Sequence, residues 1–330
     1  MKAMKRVKGL AMFSGGLDSI LAIKLILSQG VDVEALNFSG FFCSCKTRLG
    51  AVESAKMVGV PLKVIEVDER YLKMLRNPKH GYGKNMNPCI DCKIFMLKEA
   101  KKYADEIGAS FIFTGEVLDE RPMSQHFPAL RIIEEESGLK GRLLRPLSAK
   151  IMPETVVEKK GLVNRDKLLA IRGRSRKPQM KLAAEFGIVA YPSPAGGCLL
   201  TEAEFANRLR DLFEHRKRCV AADVALLRLG RHFRLGENKI IVGRNEEENK
   251  ALAAGKAKND YFFEVPVIAG PITILQGRKT SKTVVTAAAL TAFYSDAKTD
   301  KTTVNFGRER LDKSITVQVP KREEIEKLRI

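Results

Sequence analysis

Short apolar runs alternate with amphipathic stretches along the first part of the chain. "GLAMF" reads as a buried strand, and residues 17–29 show helical spacing of apolar positions before Gly30 ends them. "VDVEALNF" is a second strand, residues 50–58 a helix and "PLKVIEV" a third strand. Residues 89–107 read as a long helix closed by Gly108, followed by "SFIFTG" and "GRLLRPLS" as a fourth and fifth strand. Strands alternating with helices predict βαβ units, hence an α/β fold with a doubly wound parallel sheet. The breaker "YPSPAGGC" ends this pattern, and residues 201–230 read as charged helix. From His232 onward short strands ("NKIIVG", "YFFEVPVI", "PITILQG") surround one helix, "SKTVVTAAALTAFYSDA". The expected organisation is an α/β domain over 1–198, a helical connector over 199–231 and a smaller α+β domain over 232–330.

Composition narrows the partners. Lys and Arg number 58 against 39 Asp and Glu, a net charge of +19. Such an excess favours a polyanion, nucleic acid first, although a basic solubility surface gives the same number. Trp is absent and aromatic residues make up 7%, so extensive base stacking is not advertised. No apolar run reaches a membrane span, and "MKAMKRVKGLAMF" lacks the long apolar region of a signal peptide. The expectation is a cytoplasmic protein with no membrane partner. In that compartment the six cysteines (43, 45, 89, 92, 198 and 219) are not a disulfide framework. The close pairs Cys43–Cys45 and Cys89–Cys92 point to metal, cluster or sulfur chemistry. His80, His126, His215 and His232 show no ligand spacing.

Between the first strand and first helix stands "FSGGLDSILA". A glycine-rich strand-to-helix turn aims backbone N–H groups at the positive end of the helix, which makes a phosphate cradle. Gly15 and Gly16 admit close approach, Ser14 and Ser19 add hydroxyls, and Asp18 holds Mg²⁺ or orients the loop. Neither the Walker A lysine nor a G-x-G-x-x-G pattern is present. "SGGLDS" resembles the S-G-G-x-D-S signature of the PP-loop ATP pyrophosphatases, which implies ATP as cosubstrate and adenylation of a substrate carbonyl oxygen.

"NPCIDCK" resembles the N-P-x-x-x-C-N segment of tRNA 2-thiouridylases, and Cys92 takes the place of their catalytic cysteine. Cysteine at 89 as well resembles the thiouridine synthetases that bind an iron–sulfur cluster through C-x-x-C and one distant cysteine. Cys198, beside Ala195-Gly196-Gly197, would be that third ligand. The resemblance implies a [4Fe–4S] cluster on Cys89, Cys92 and Cys198. Two other readings stay open: a persulfide on Cys92 resolved by Cys198, and structural zinc. Cys43 and Cys45 relay sulfur, add a ligand or are incidental thiols, and Cys219 is a structural or surface thiol. "TGEVLDERPMSQ" resembles the T-G-E segment of 4-thiouridine synthetases, which places Gly115 at ATP, with Asp119-Glu120 departing from the usual Gly-Gln.

"RGRSRK" supplies Arg172, Arg174, Arg176 and Lys177 for pyrophosphate or an RNA backbone. "IIVGRNEEENKAL" and "AAALTAFYSDAK" resemble the RNA-binding domain of NFACT proteins, which implies RNA contacts at Arg244 and Asn245. The resulting expectation is an ATP-dependent tRNA sulfurtransferase. Its sulfur donor would be free sulfide, a cysteine desulfurase or a carrier protein. The alternatives are a PP-loop ligase using an amine nucleophile and an ATP-regulated RNA- or ribosome-binding factor without catalysis.

Overall fold

A computed structural model describes residues 7–40, 42, 45–189, 191, 198–297 and 299–330, with backbone alone for 45–49. The chain divides into two units, Met1–Thr201 and Glu202–Ile330.

The strands of the first unit are β1 (Lys8–Met12), β2 (Asp32–Ser39), β3 (Leu62–Glu66), β4 (Phe111–Thr114) and β5 (Leu143–Leu144). They form one parallel sheet in the order β3-β2-β1-β4-β5. Its helices are α1 (Leu17–Leu27), α2 (Cys45–Val58), α3 (Glu69–Arg76), α4 (Cys89–Glu106), α5 (Phe127–Ser137), α6 (Val156–Lys159) and α7 (Lys177–Glu185). Side chains alternate across the sheet as strand geometry requires. Ala11, Val33, Phe111 and Phe113 pack with Leu17, Ile20, Leu21 and Ala183 on one face. Leu10, Leu36 and Ile112 pack with Ile94, Leu97, Ala100 and Ile133 on the other. The α/β, doubly covered parallel sheet is therefore as the residue pattern predicts. Helices α3 and α5 are additions, each with a short apolar stripe: Tyr71, Leu72 and Leu75 in the first, Ala129, Leu130 and Ile133 in the second.

Because β1 pairs with β2 on one side and β4 on the other, the chain reverses winding direction between β1 and β4. In open α/β sheets the crevice outside the strand ends at such a point receives ligands. The loops after β1 and β4 are the ones that carry "SGGLDS" and "TGE".

The second unit contains α8 (Ala203–His215), α9 (Ala221–Leu226), β6 (Arg231–Leu235), β7 (Asn238–Val242), α10 (Glu246–Gly255), β8 (Tyr261–Glu264), β9 (Thr273–Gln276), α11 (Ser281–Phe293), β10 (Lys301–Gly307), β11 (Lys313–Gln318) and α12 (Arg322–Glu326). Its antiparallel sheet runs β11-β10-β8-β9-β7-β6. Ala287, Ala288, Leu290 and Ala292 of α11 cover one face through Phe233, Ile240, Phe263, Leu275 and Val304. Leu252 of α10 and Leu226 of α9 cover the other at Ile241 and Ile274. Residues 203–226, expected as connector, are built into this unit, where Asp211 accepts hydrogen bonds from Arg234 and Lys239. No helix among the described residues is long and apolar enough to cross a membrane.

Candidate active site

Packing from three directions holds the loop after β1 in place. The Asn37 amide donates to the Phe13 carbonyl at 2.8 Å, and Ser54 of α2 donates to the Gly15 carbonyl at 3.1 Å. Gly15 adopts φ +78°, and a Cβ there would lie 2.7 Å from the Ala51 Cα, so only glycine fits. Ser19 donates to the Gly16 carbonyl at 2.8 Å and lies 3.3 Å from the Ser14 hydroxyl. Gly16 caps α1 without a side-chain cap, leaving first-turn N–H groups without intrahelical acceptors. These are the donors a phosphate would take.

The loop after β4 closes on the same turn. A Cβ at Gly115 would lie 2.5 Å from the Ser19 nitrogen and 2.6 Å from the Asp18 carbonyl oxygen. Asp18 Oδ1 is buried with no hydrogen-bond partner. Burial pushes the Asp18 carboxyl up, against the pull of Arg176 and Arg121. Glu120 is pushed up by burial and by the Asp18 charge, with Arg121, Arg176 and Lys93 opposing. Asp18, with its orphaned buried oxygen, and Glu120, which feels the Asp18 charge, offer hard oxygen donors of the kind Mg²⁺ takes. Asp18 and Glu120 therefore fit that ion.

Four residues before Glu120 the situation reverses. Glu116 accepts from Lys93 and, at 3.0 Å, from Arg145 Nε, while Arg145 also donates to Glu134. The Glu116 side chain is 12% exposed and Arg145 2%. Burial alone would raise the Glu116 carboxyl, but Lys93 and Arg145 outweigh it and hold it at about 2. Since Lys93 follows Cys92 on α4, this pair ties the cysteine-bearing helix to the loop that rests on Asp18 and Ser19.

Cys89 opens α4 and its thiol donates to Asn87 Oδ1 at 2.9 Å. One turn on, Cys92 Sγ accepts from the Tyr71 hydroxyl at 3.2 Å. Asp91 between them fixes the preceding loop by accepting from the Lys79 and His80 N–H groups, both at 3.0 Å. The segment that begins at Cys198 is pinned to the same loop, through Met86 N–H to the Leu200 carbonyl at 3.0 Å and Asn85 to the Thr201 carbonyl at 2.7 Å. Leu199 N–H also donates to the Phe42 carbonyl, and the Phe42 ring lies 6.0 Å from Tyr71. Cys92 and Cys198 thus border one neighbourhood through Tyr71, Phe42 and Leu199. Among the described residues, however, no three His, Cys, Asp or Glu side chains form a group able to hold a metal ion. The calls on Cys43, on the Cys45 side chain and on Ala195-Gly196-Gly197 lie outside the described residues.

Residues 5–158 match the family model of the thiamine biosynthesis protein ThiI. The first unit carries a ThiI-type PP-loop domain. Residues 230–329 match the NFACT protein RNA binding domain, so the second unit is of that kind. A tRNA-specific 2-thiouridylase MnmA of Xanthobacter autotrophicus is 24% identical over 217 residues, 60% of this chain and 52% of that protein. Among the first curated relatives matched, the chain spans from a third to about half of their length. Two solved structures are similar at low overlap. A predicted subunit of tRNA methyltransferase from Methanocaldococcus jannaschii has a TM-score of 0.39 at 18% identity, over 66% of this chain and 91% of that one. A 4-thiouridine synthetase in complex with RNA and ATP has a TM-score of 0.33 at 21% identity, over 55% and 52% of the two chains.

Within the first unit the basic segment divides. Arg176 acts on Asp18 at the loop, Arg172 pairs with Asp119 at 2.6 Å, and Arg174 and Lys177 are exposed. In the NFACT-type unit, Asn245 caps α10 by accepting from Glu248 N–H at 2.9 Å, and Arg244 grips Glu248 at 2.5 Å. Both side chains named for RNA are thus engaged in building this turn. Lys93 and Glu116 stood in the quoted "NPCIDCK" and "TGE" stretches without a role, and Arg145 and Tyr71 gave no signal, because the partners of all four are distant in sequence. Glu120 stood in the quoted "TGEVLDE" stretch, and its position three residues past Val117 gave no hint that it faces Asp18.

Proposed function

We propose that the protein is an ATP-dependent tRNA sulfurtransferase that replaces a uracil carbonyl oxygen with sulfur, forming AMP and pyrophosphate. The observation that carries this reading is the Lys93–Glu116 pair, because it joins the helix of Cys92 to the loop against Asp18 and Ser19. Phosphate chemistry and sulfur chemistry then share one sheet edge. Ser14, Gly15, Gly16 and Ser19 cradle the departing phosphates of ATP, and Arg176 and Arg121 offset their charge. Asp18 and Glu120 would hold Mg²⁺, which when bound would add neutralising charge for the leaving pyrophosphate. The uracil oxygen forms a bond to the α-phosphorus as the bond from that phosphorus to the bridging oxygen breaks.

Cys92 serves as the sulfur carrier, loaded as a persulfide by a cysteine desulfurase or a persulfide-bearing carrier protein. Its terminal sulfur bonds to the activated ring carbon, and AMP leaves with the former carbonyl oxygen. The Cys198 thiolate attacks Cys92 Sγ, which breaks the sulfur–sulfur bond and frees the thiocarbonyl. A Cys92–Cys198 disulfide remains and is reduced by two electrons from a thiol reductant. Tyr71 orients Cys92 through its hydroxyl. The NFACT-type unit and the exposed Arg174 and Lys177 hold the RNA.

The test is mass spectrometry of thionucleosides in total tRNA from a strain lacking the protein. One thiouridine should disappear, returning with the wild-type gene and not with Cys92→Ala. An unchanged thionucleoside profile would count against the reading.

A further inference from the structure

One end of the antiparallel sheet in the second unit gathers cations around a single ring. Register places the start of β8 beside the ends of β9 and β10, since Tyr261 pairs with Leu275 and Phe262 with Gly307, while Phe306 pairs with Lys313 of β11. Lys279 Nζ and Lys313 Nζ each lie 5.6 Å from the Tyr261 ring centroid, and the Arg308 guanidinium carbon lies 6.0 Å from it. Next to it, Lys256 Nζ lies 5.3 Å from the Phe262 ring and donates to the Arg308 carbonyl at 2.7 Å. Tyr261 is held from behind by Phe306, 6.0 Å away, which stacks on the buried Phe263.

Other cations of this unit are neutralised by a carboxylate. Arg234 and Lys239 are neutralised by Asp211, and Arg244 by Glu248. Among the described residues, Lys279, Arg308 and Lys313 make no ion pair. Asp260, the nearest buried carboxylate, is turned inward to Ala257 N–H and the Gln276 amide. Glu309 and Asp312 are exposed in the hairpin between β10 and β11. Lys279 feels the crowding: burial pushes its ammonium down, Arg308 pushes the same way, and Asp260 only partly opposes them. Cations packed round an aromatic face gain attraction from the ring but repel one another, a conflict that a bound anion relieves.

We propose that Lys279, Arg308 and Lys313, arrayed on Tyr261 with Lys256 beside them, form a seat for the phosphodiester backbone of RNA. This rests on the tRNA reading above for the identity of the partner, and on the cation array for the place. Arg and Lys fixed by a ring are preorganised for phosphate oxygens, and a run of them follows a backbone without reading its sequence. Arg244 and Asn245 then shape the fold, and the Tyr261 end of the sheet meets the ligand.

The experiment is fluorescence anisotropy with labelled unmodified tRNA and the full chain, titrated between low and moderate salt. Arg308→Ala with Lys313→Ala should weaken binding roughly tenfold and make the log K against log salt slope shallower by about two. Tyr261→Phe keeps the ring face and should bind as wild type, whereas Tyr261→Leu should lose about threefold. The control pair Arg322→Ala and Lys327→Ala removes equal charge at α12, on the β6 edge of the sheet, and should stay within about twofold. Thermal melts of each variant check folding, since Arg308 and Lys313 are both exposed. A double variant matching wild type in affinity and slope overturns the proposal, as does a control pair that weakens binding equally. AMP formation is measured separately, so loss of the sulfurtransferase reading would leave the RNA result standing, and the reverse.

Discussion

Glu116 and Glu120 belong to one loop, yet their carboxyls are driven in opposite directions. Glu116 is clamped between Lys93 and Arg145 and held at about 2, while Glu120 is raised by burial and by Asp18. The first belongs to a chain of compensated charges running through Arg145 to Glu134. The second feels the charge of Asp18, whose buried Oδ1 has no hydrogen-bond partner. A buried charge that the protein neutralises is a structural tie. A buried charge left for something else to neutralise marks a site. In the second unit the same contrast separates Arg244, paired with Glu248, from the cations round Tyr261.

The widest separation of the two kinds of charge comes from Asp18→Asn. Pyrophosphate release should fall by about a thousandfold, because the carboxylate proposed to hold Mg²⁺ at the loop is lost. Stability at neutral pH should hold or rise by a few degrees. A carboxyl raised by folding binds its proton more tightly folded than unfolded, so its contribution to stability falls as pH rises from the ordinary 3.8 through the raised value. A melting temperature several degrees lower in Asp18→Asn would make this residue a tie and break the contrast.

Glu116→Gln should show the opposite signature. It leaves Lys93 and Arg145 facing a neutral amide, at a cost of about 3–5 kcal/mol in urea unfolding at pH 7. The Glu116 carboxyl is lowered from 4.5 to about 2, so its contribution is complete above pH 4.5 and fades as pH falls toward 2. The gap between wild type and variant should therefore narrow in acid. A constant gap from pH 7 to pH 2 would show that shape, and not charge, is lost.

The cysteines sharpen the picture at a smaller scale. Cys92→Ala and Cys198→Ala should abolish thiolation, whereas Cys89→Ala, whose thiol is engaged with Asn87, should retain it within about tenfold. Equal loss in all three, with iron and acid-labile sulfide bound by the wild type and absent from Cys89→Ala, would restore the cluster. The least effect is expected from Arg244→Ala. Its side chain is 44% exposed, so solvent discounts the Glu248 pair to about 0.5 kcal/mol. tRNA affinity should stay within about twofold in that variant. A tenfold drop would mean that a compensated charge also serves the ligand.

Much of this was readable before folding. The PP-loop, its strand and its helix are contiguous in sequence, and the pattern of apolar positions showed the parallel sheet and the later change to short strands in an α+β domain. Helices α3 and α5 escaped because each buries only a few apolar positions, and α5 carries Pro128 in its first turn, which reads as a breaker. The tie that joins Lys93, Glu116, Glu134 and Arg145 was not legible, since its members meet only when α4, α5 and the ends of β4 and β5 converge. Arg244 and Asn245 show the reverse difficulty. A polar run reads equally well as a ligand contact or a helix cap, and only the Glu248 partner shows the cap.

The most direct test of the central claim follows α-labelled ATP and a persulfide donor in one reaction with unmodified tRNA. AMP and thiouridine should form in equal amounts with the wild type, and neither thiouridine nor protein-bound sulfane sulfur should reach tRNA with Cys92→Ala. Thiouridine made at the wild-type rate by Cys92→Ala, or AMP made with no sulfur entering tRNA, would contradict the account.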